Sequence, residues 1–217
     1  MITGGGTSGH VIPALAIAEL LVDSGYSSDQ IHFVGTLNGV ETKLVPPTRI
    51  PLTLLDVRGF SRNLSFTSLK KNLHAVQILR RAINHATVLL RSLKPAVVIS
   101  VGGYGSVPAT RAAVKLNIPV VTVSYDRLPG RATKMQARQA AATAVAYLPT
   151  KLRNATLTGA PVRRSIRNLE VAATREAARS RLGLPKTGKV IAVTGGSLGS
   201  AFLNKLTREL VEQHHNR

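Results

Sequence analysis

The amino-acid sequence predicts an α/β fold built on a parallel sheet, with a second unit of the same kind begun near the C-terminal end. Three observations carry this prediction. Short β-branched runs alternate with longer amphipathic stretches along the 217 residues. Glycine-rich loops stand where such runs give way to helical patterns, at 4–9, 102–105 and 195–199. Prolines at Lys94-Pro95 and Ile118-Pro119 mark strand entries, because a residue before proline is biased to extended backbone.

Taken in order, the first helix is expected over Pro13–Ser24, where Ala, Leu and Ile dominate after the first glycine loop. Strands follow at Gln30–Gly35 and Leu52–Val57, and a long helix is expected at about Ser68–Leu93. Its apolar positions Leu69, Leu73, Val76, Leu79, Ile83, Val88 and Leu90 alternate with Lys70, Lys71, Arg80, Arg81 and Arg91. That pattern suits a core-facing helix with basic solvent positions, and also a helix near an anionic bilayer. The series continues with strand Ala96–Val101, helix Ser106–Leu116, strand Pro119–Ser124, helix Gly130–Ala142 and strands Thr143–Leu148 and Ala155–Thr158. Gly159-Ala-Pro-Val-Arg163 reads as a hinge, which divides the chain into 1–160 and 161–217. Beyond it come a helix around Leu169–Leu182, an apolar strand Lys189–Thr194, a loop Gly195-Gly-Ser-Leu-Gly199 and a helix Ala201–Gln213. With Met1–Thr3 ahead of the first loop and one strand-loop-helix step after the hinge, the sequence reads as a fragment expected to have little activity alone.

Composition narrows the functional classes. Apolar residues make up 44%, ordinary for a globular protein. There is no cysteine, hence no disulfide framework and no thiolate metal site. No apolar run approaches the ~18 residues of a membrane span, and no signal-peptide pattern opens the chain, so a cytoplasmic location is expected. The formal net charge is +19, and nineteen Lys and Arg face the single acid Asp126 between Val57 and Leu169. Such a balance attracts polyanions. Few aromatics and no recognisable nucleic-acid motif argue against nucleic acid, leaving an anionic membrane surface or a diphosphate substrate.

The motifs refine this picture. Gly4-x-Gly6-x-x-Gly9 runs into a helix, whose unpaired N–H groups and positive end suit phosphate. It formally satisfies the dinucleotide fingerprint, yet the second strand ends Val34-Gly-Thr-Leu-Asn38 with no acid for a ribose until Glu41. Phosphate or diphosphate contact survives, whereas a nicotinamide cofactor does not. Val101-Gly-Gly-Tyr-Gly-Ser106 forms a second loop expected at the same carboxyl edge of the sheet, with Gly102, Gly103 and Tyr104 as ligand contacts. Gly195-x-Ser197-x-Gly199 matches the nucleophile-elbow spacing, but Glu209, Glu212, His214 and His215 follow too closely to complete a hydrolase triad. A phosphate loop with a serine donor is the better reading there. His10, at the helix start behind the first loop, is the candidate general base.

These segments together resemble the MurG-type glycosyltransferases. Gly4-Gly-Gly-Thr-Ser-Gly-His10-Val-Ile-Pro-Ala is similar to that family's first glycine loop, and Val101-Gly-Gly-Tyr-Gly-Ser to its second. Asn117-Ile-Pro-Val-Val121, Thr158-Gly-Ala-Pro-Val-Arg163 and Thr194-Gly-Gly-Ser-Leu-Gly-Ser-Ala-Phe-Leu-Asn204 resemble its later signatures in the same order. The resemblance implies a GT-B architecture of two Rossmann-like domains, here an acceptor-binding domain over 1–160 and the start of a donor-binding domain over 161–217. It implies inverting transfer of N-acetylglucosamine from UDP-N-acetylglucosamine to undecaprenyl-pyrophosphoryl-N-acetylmuramyl-pentapeptide, with His10 as base and neither metal nor cofactor. Thr7, Ser8, Gly9, Asp126, Arg163 and Ser197 would contact the donor. One departure bears on the acceptor. Where the family has His-Glu-Gln/Ala-Asn, this sequence has Val123-Ser-Tyr-Asp126. The alternatives are another lipid or small-molecule acceptor, or an inactive remnant.

Overall fold

The computed structural model of the chain describes residues 1–59, 66–196 and 199–214. They form two compact units, 1–168 and 169–217. The division falls eight residues beyond the expected 160/161 boundary, because the segment after Gly159 is tied into the first unit by ion pairs described below.

The first unit runs β1 (Ile2–Thr3), α1 (Ser8–Asp23), β2 (Phe33–Thr36), α2 (Glu41–Leu44), β3 (Leu52–Leu55) and α3 (Phe66–Leu93). It continues with β4 (Val98–Ser100), α4 (Val107–Lys115), β5 (Val120–Ser124), α5 (Arg131–Ala137), β6 (Ala142–Val145), β7 (Ala155–Leu157) and α6 (Arg164–Arg167). All seven strands form one sheet in the order β3-β2-β1-β4-β5-β6-β7, every neighbouring pair being parallel. The expected α/β Rossmann-like fold with a parallel sheet is therefore the observed one. Two residues suffice for the central strand: Ile2 pairs with Phe33 and Ile99, and Thr3 with Val34 and Ser100.

Helices cover both faces, so the strands are apolar on both sides. On one face Ile2, Phe33, Val101 and Val123 pack against Val11, Ala14, Leu15 and Ala18 of α1. On the other, Val34, Leu55, Val98 and Val120 meet Ala82, Ala86 and Leu90 of α3 and Ala109, Ala112 and Ala113 of α4. Alanines on both helices let α3 and α4 approach closely. The buried stripe of α3 is Ala75, Ile78, Ala82, Ala86 and Leu90, the 3.6-residue periodicity of a core-facing helix. Val88, expected among the apolar positions, is exposed, as are Arg80, Arg81 and Arg91; the side chains of Leu69, Lys70, Lys71 and Leu73 lie outside the described residues. No helix among the described residues is long and apolar enough to cross a membrane.

Several boundaries move for local reasons. α1 begins at Ser8 and takes Pro13 into its interior, so the proline does not start the helix as the sequence suggested. α5 stops at Ala137, because the chain must turn before Ala142 pairs with Val121 at the start of β6.

The second unit contains α7 (Val171–Arg181) and α8 (Ala201–His214). Arg179, buried, donates from its guanidinium to the carbonyls of Pro185 and Gly188 at 2.6 and 2.7 Å, closing the turn after α7. The strand expected over Lys189–Thr194 is not formed, and Val190, Ile191 and Val193 are exposed. A strand requires a neighbour to complete its ladder, and the described residues of this unit include no other strand.

Candidate active site

The sheet order reverses direction between β1 and β4, and ligands of open α/β sheets bind in the crevice outside the carboxyl ends of the strands at such a switch point. Both glycine loops leave from there: 4–9 follows β1 and 101–106 follows β4.

An internal carboxylate holds the first loop. Glu41, on α2, is completely buried and accepts hydrogen bonds from the Gly6 amide at 3.0 and 3.2 Å. The amide and hydroxyl of Thr36, at the end of β2, donate to the same carboxylate. Glycines make the space. A Cβ on Gly5 would stand 2.2 Å from Glu41 Oε1, and one on Gly39 would stand 2.0 Å from Oε2. The acid that sequence reasoning considered only as an absent ribose partner is thus directed inward, fixing the loop from below.

A neutral side chain holds the second loop. Gln136 of α5 accepts from the Ser100 hydroxyl and donates to the Ser106 hydroxyl, each at 2.8 Å. Ser106 donates onward to the Gly103 carbonyl at 2.9 Å, and Ser100 accepts from the Gly102 amide at 3.3 Å. This buried network links the end of β4, α5 and the second loop, which rigidifies the turn. Gly102 and Gly103 adopt φ of 84° and 77°, a left-handed region that side chains enter only at a cost. The loops also touch each other, for a Cβ on Gly6 would lie 2.9 Å from the Tyr104 ring.

His10 is the third residue of α1 and lies between the loops. Its ring covers Gly103, where a Cβ would come within 2.7 Å of His10 Cδ2 and 3.2 Å of Nε2. Nδ1 is 2.9 Å from the hydroxyl of Tyr125, the residue following β5. That hydroxyl donates to the Gly9 carbonyl at 2.6 Å and lies 3.3 Å from the Val101 carbonyl. Burial, and secondly the Asp126 charge, push the Tyr125 hydroxyl well above the ordinary tyrosine range, so it remains protonated. Nε2 of His10 has no hydrogen-bond partner among the described residues.

Of the residues singled out from sequence, Thr7, Ser8, Gly9, His10, Gly102, Gly103 and Tyr104 are brought together around this crevice. Thr7 precedes α1 in extended conformation and is exposed, with a side chain that does not cap the helix. Asp126 is exposed beside Tyr125. Arg163 is elsewhere: its guanidinium pairs with Glu19 at 2.7 Å, nine residues past His10 and about 13 Å further along α1 at ~1.5 Å per residue. Arg164 and Arg167 pair with Asp23 on the same helix. Ser197 lies outside the described residues. Glu41 and Gln136 were missed. The signal for Glu41 was the glycine spacing Gly35, Gly39 around it; Gln136 offered none, being one polar residue on a polar helix.

Comparison with known proteins identifies the family to which these loops belong. Residues 1–145 match the glycosyltransferase family 28 N-terminal domain, and the chain belongs to that family. It is 36% identical over 217 residues to the UDP-N-acetylglucosamine–N-acetylmuramyl-(pentapeptide) pyrophosphoryl-undecaprenol N-acetylglucosamine transferase of Carboxydothermus hydrogenoformans, covering 98% of this chain and 57% of that protein. It is 37% identical over 218 residues to the enzyme of the same name from Desulforudis audaxviator, covering 98% and 56%. Among solved structures, Acinetobacter baumannii MurG superposes with a TM-score of 0.59 at 28% identity, over 78% of this chain and 48% of that one. A UDP-GlcNAc 2-epimerase from Methanocaldococcus jannaschii shares the fold at a TM-score of 0.51 and 16% identity, over 84% of this chain and 51% of that one. The chain thus spans a little over half the length of the curated relatives it matches.

Proposed function

We propose that the first unit is the acceptor half of an inverting glycosyltransferase that moves N-acetylglucosamine from UDP-N-acetylglucosamine to undecaprenyl-pyrophosphoryl-N-acetylmuramyl-pentapeptide, a step of peptidoglycan assembly and so of cell shape and division. The observation that carries this reading is the position of His10, held between two glycine loops with Nε2 unpartnered among the described residues. The acceptor hydroxyl gives its proton to Nε2 while its oxygen forms the new bond to the sugar's anomeric carbon. The bond from that carbon to the UDP oxygen breaks, and the electron pair leaves with UDP. Attack opposite the leaving group inverts the carbon. Helix dipoles and hydrogen-bond donors, without metal or cofactor, stabilise the charge that develops on the diphosphate.

In this reading Thr7, Ser8 and Gly9 meet the donor, with Asp126 directed to sugar or ribose instead of the diphosphate it would repel. Arg163 joins them when its guanidinium leaves Glu19. Gly102, Gly103 and Tyr104 line the acceptor side. The basic residues between Val57 and Leu169 hold the enzyme as a peripheral protein on the anionic cytoplasmic face of the membrane.

Acceptor binding tests the proposal on this chain. In an amide NMR titration with a short-chain pyrophosphoryl-muramyl-pentapeptide lipid, the resonances of Gly5, Gly6, Gly102 and Gly103 shift. Perturbation confined to exposed basic residues, with those glycines unmoved, contradicts it.

A further inference from the structure

We infer that Tyr125 is a positioning residue that fixes the tautomer of His10, placing the imidazole proton on Nδ1 and leaving the Nε2 lone pair at the crevice. The inference rests on the reading of His10 as the base. It follows from counting protons. The Tyr125 hydroxyl has one hydrogen and three polar neighbours: His10 Nδ1 at 2.9 Å, the Gly9 carbonyl at 2.6 Å and the Val101 carbonyl at 3.3 Å. The two carbonyls only accept. Were the hydrogen directed to Nδ1, the phenol oxygen would face the Gly9 carbonyl oxygen at 2.6 Å with no proton between two lone pairs. The hydrogen therefore goes to Gly9, and the phenol oxygen accepts from Nδ1–H.

The chain supplies that carbonyl by its own sequence. In a regular helix the Gly9 carbonyl would accept the amide hydrogen of residue 13. Residue 13 is Pro13, inside α1 and lacking an N–H. The carbonyl is left for Tyr125. Proline, tyrosine and histidine thus form one device across the crevice, coupling α1 to the end of β5. When Nε2 takes the acceptor proton, the new imidazolium keeps its Nδ1–H···Oη bond and no second proton moves.

The test is 15N NMR of the imidazole nitrogens in the 217-residue chain, with His10 assigned by the signals lost in His10→Asn. At a pH where the ring is neutral, His10 is expected to carry its proton on Nδ1, the minority tautomer of a free imidazole, with Nε2 unprotonated. A proton found on Nε2 overturns the inference without any variant. Tyr125→Phe should return the ring to predominantly Nε2–H, and retention of Nδ1–H in a folded Tyr125→Phe protein also overturns it. Because the tautomer is read without substrate, this outcome is separate from the kinetic test of His10 as base.

Discussion

His10→Ala in the whole protein should lower turnover by about 10²–10⁴-fold, the usual contribution of a positioned general base. Affinity for UDP-N-acetylglucosamine should change by no more than about twofold, because His10 touches the acceptor hydroxyl and not the donor in the proposed arrangement. Steady-state kinetics with both substrates varied checks this. Loss carried wholly by a raised KM for the donor would show that the ring binds nucleotide sugar and does not remove a proton. The Nδ1 side of His10 is occupied by Tyr125, and its ring lies so close over Gly103 that a Cβ there would collide with it.

Glu41→Ala should cost on the order of 3–9 kcal/mol, taking ~1–3 kcal/mol for each of three buried donors left without an acceptor. Three donors are released: the Gly6 amide, the Thr36 amide and the Thr36 hydroxyl. A loss of that size consumes a large fraction of the ~5–15 kcal/mol that holds a typical domain together. Urea unfolding followed through amide exchange at Ile2 and Val34, which sit in the core of the first unit, measures it. The Gly6 amide should also exchange far faster in the variant. A midpoint unchanged within the equivalent of about 1 kcal/mol would mean that the loop holds its shape without the carboxylate.

The two predictions divide the site along the line between what sequence discloses and what it hides. The sheet was legible because parallel strands covered on both faces must be short apolar runs, and Phe33–Thr36, Val98–Ser100 and Val120–Ser124 are such runs. The loops were legible because glycine enters the left-handed φ region found at Gly6, Gly102 and Gly103 without the cost a side chain adds. His10 was legible by adjacency to them. Glu41 was not, since an acid two residues past a glycine ordinarily lies in solvent; its burial depends on contacts with β2 and the first loop that only the fold creates. Gln136 is 36 residues from Ser100 and 30 from Ser106, and nothing local couples them. The start of α1 was misread because proline is common in a helix's first turn; in this chain Pro13 lies deeper, where its missing N–H serves Tyr125. The segment 189–194 was read as a strand from an apolar pattern that is necessary for a strand but not sufficient, since pairing needs a neighbour.

Val123-Ser-Tyr-Asp126 lies beside the proposed base and bears on the choice of acceptor. The decisive measurement is transfer of radiolabelled N-acetylglucosamine from UDP-N-acetylglucosamine by the whole protein, offered undecaprenyl-pyrophosphoryl-N-acetylmuramyl-pentapeptide in parallel with other glycolipids. Label is expected on the muramyl lipid, in the inverted β configuration, with the other lipids unlabelled. Label on a different glycolipid, or on none while UDP is still released to water, would contradict it.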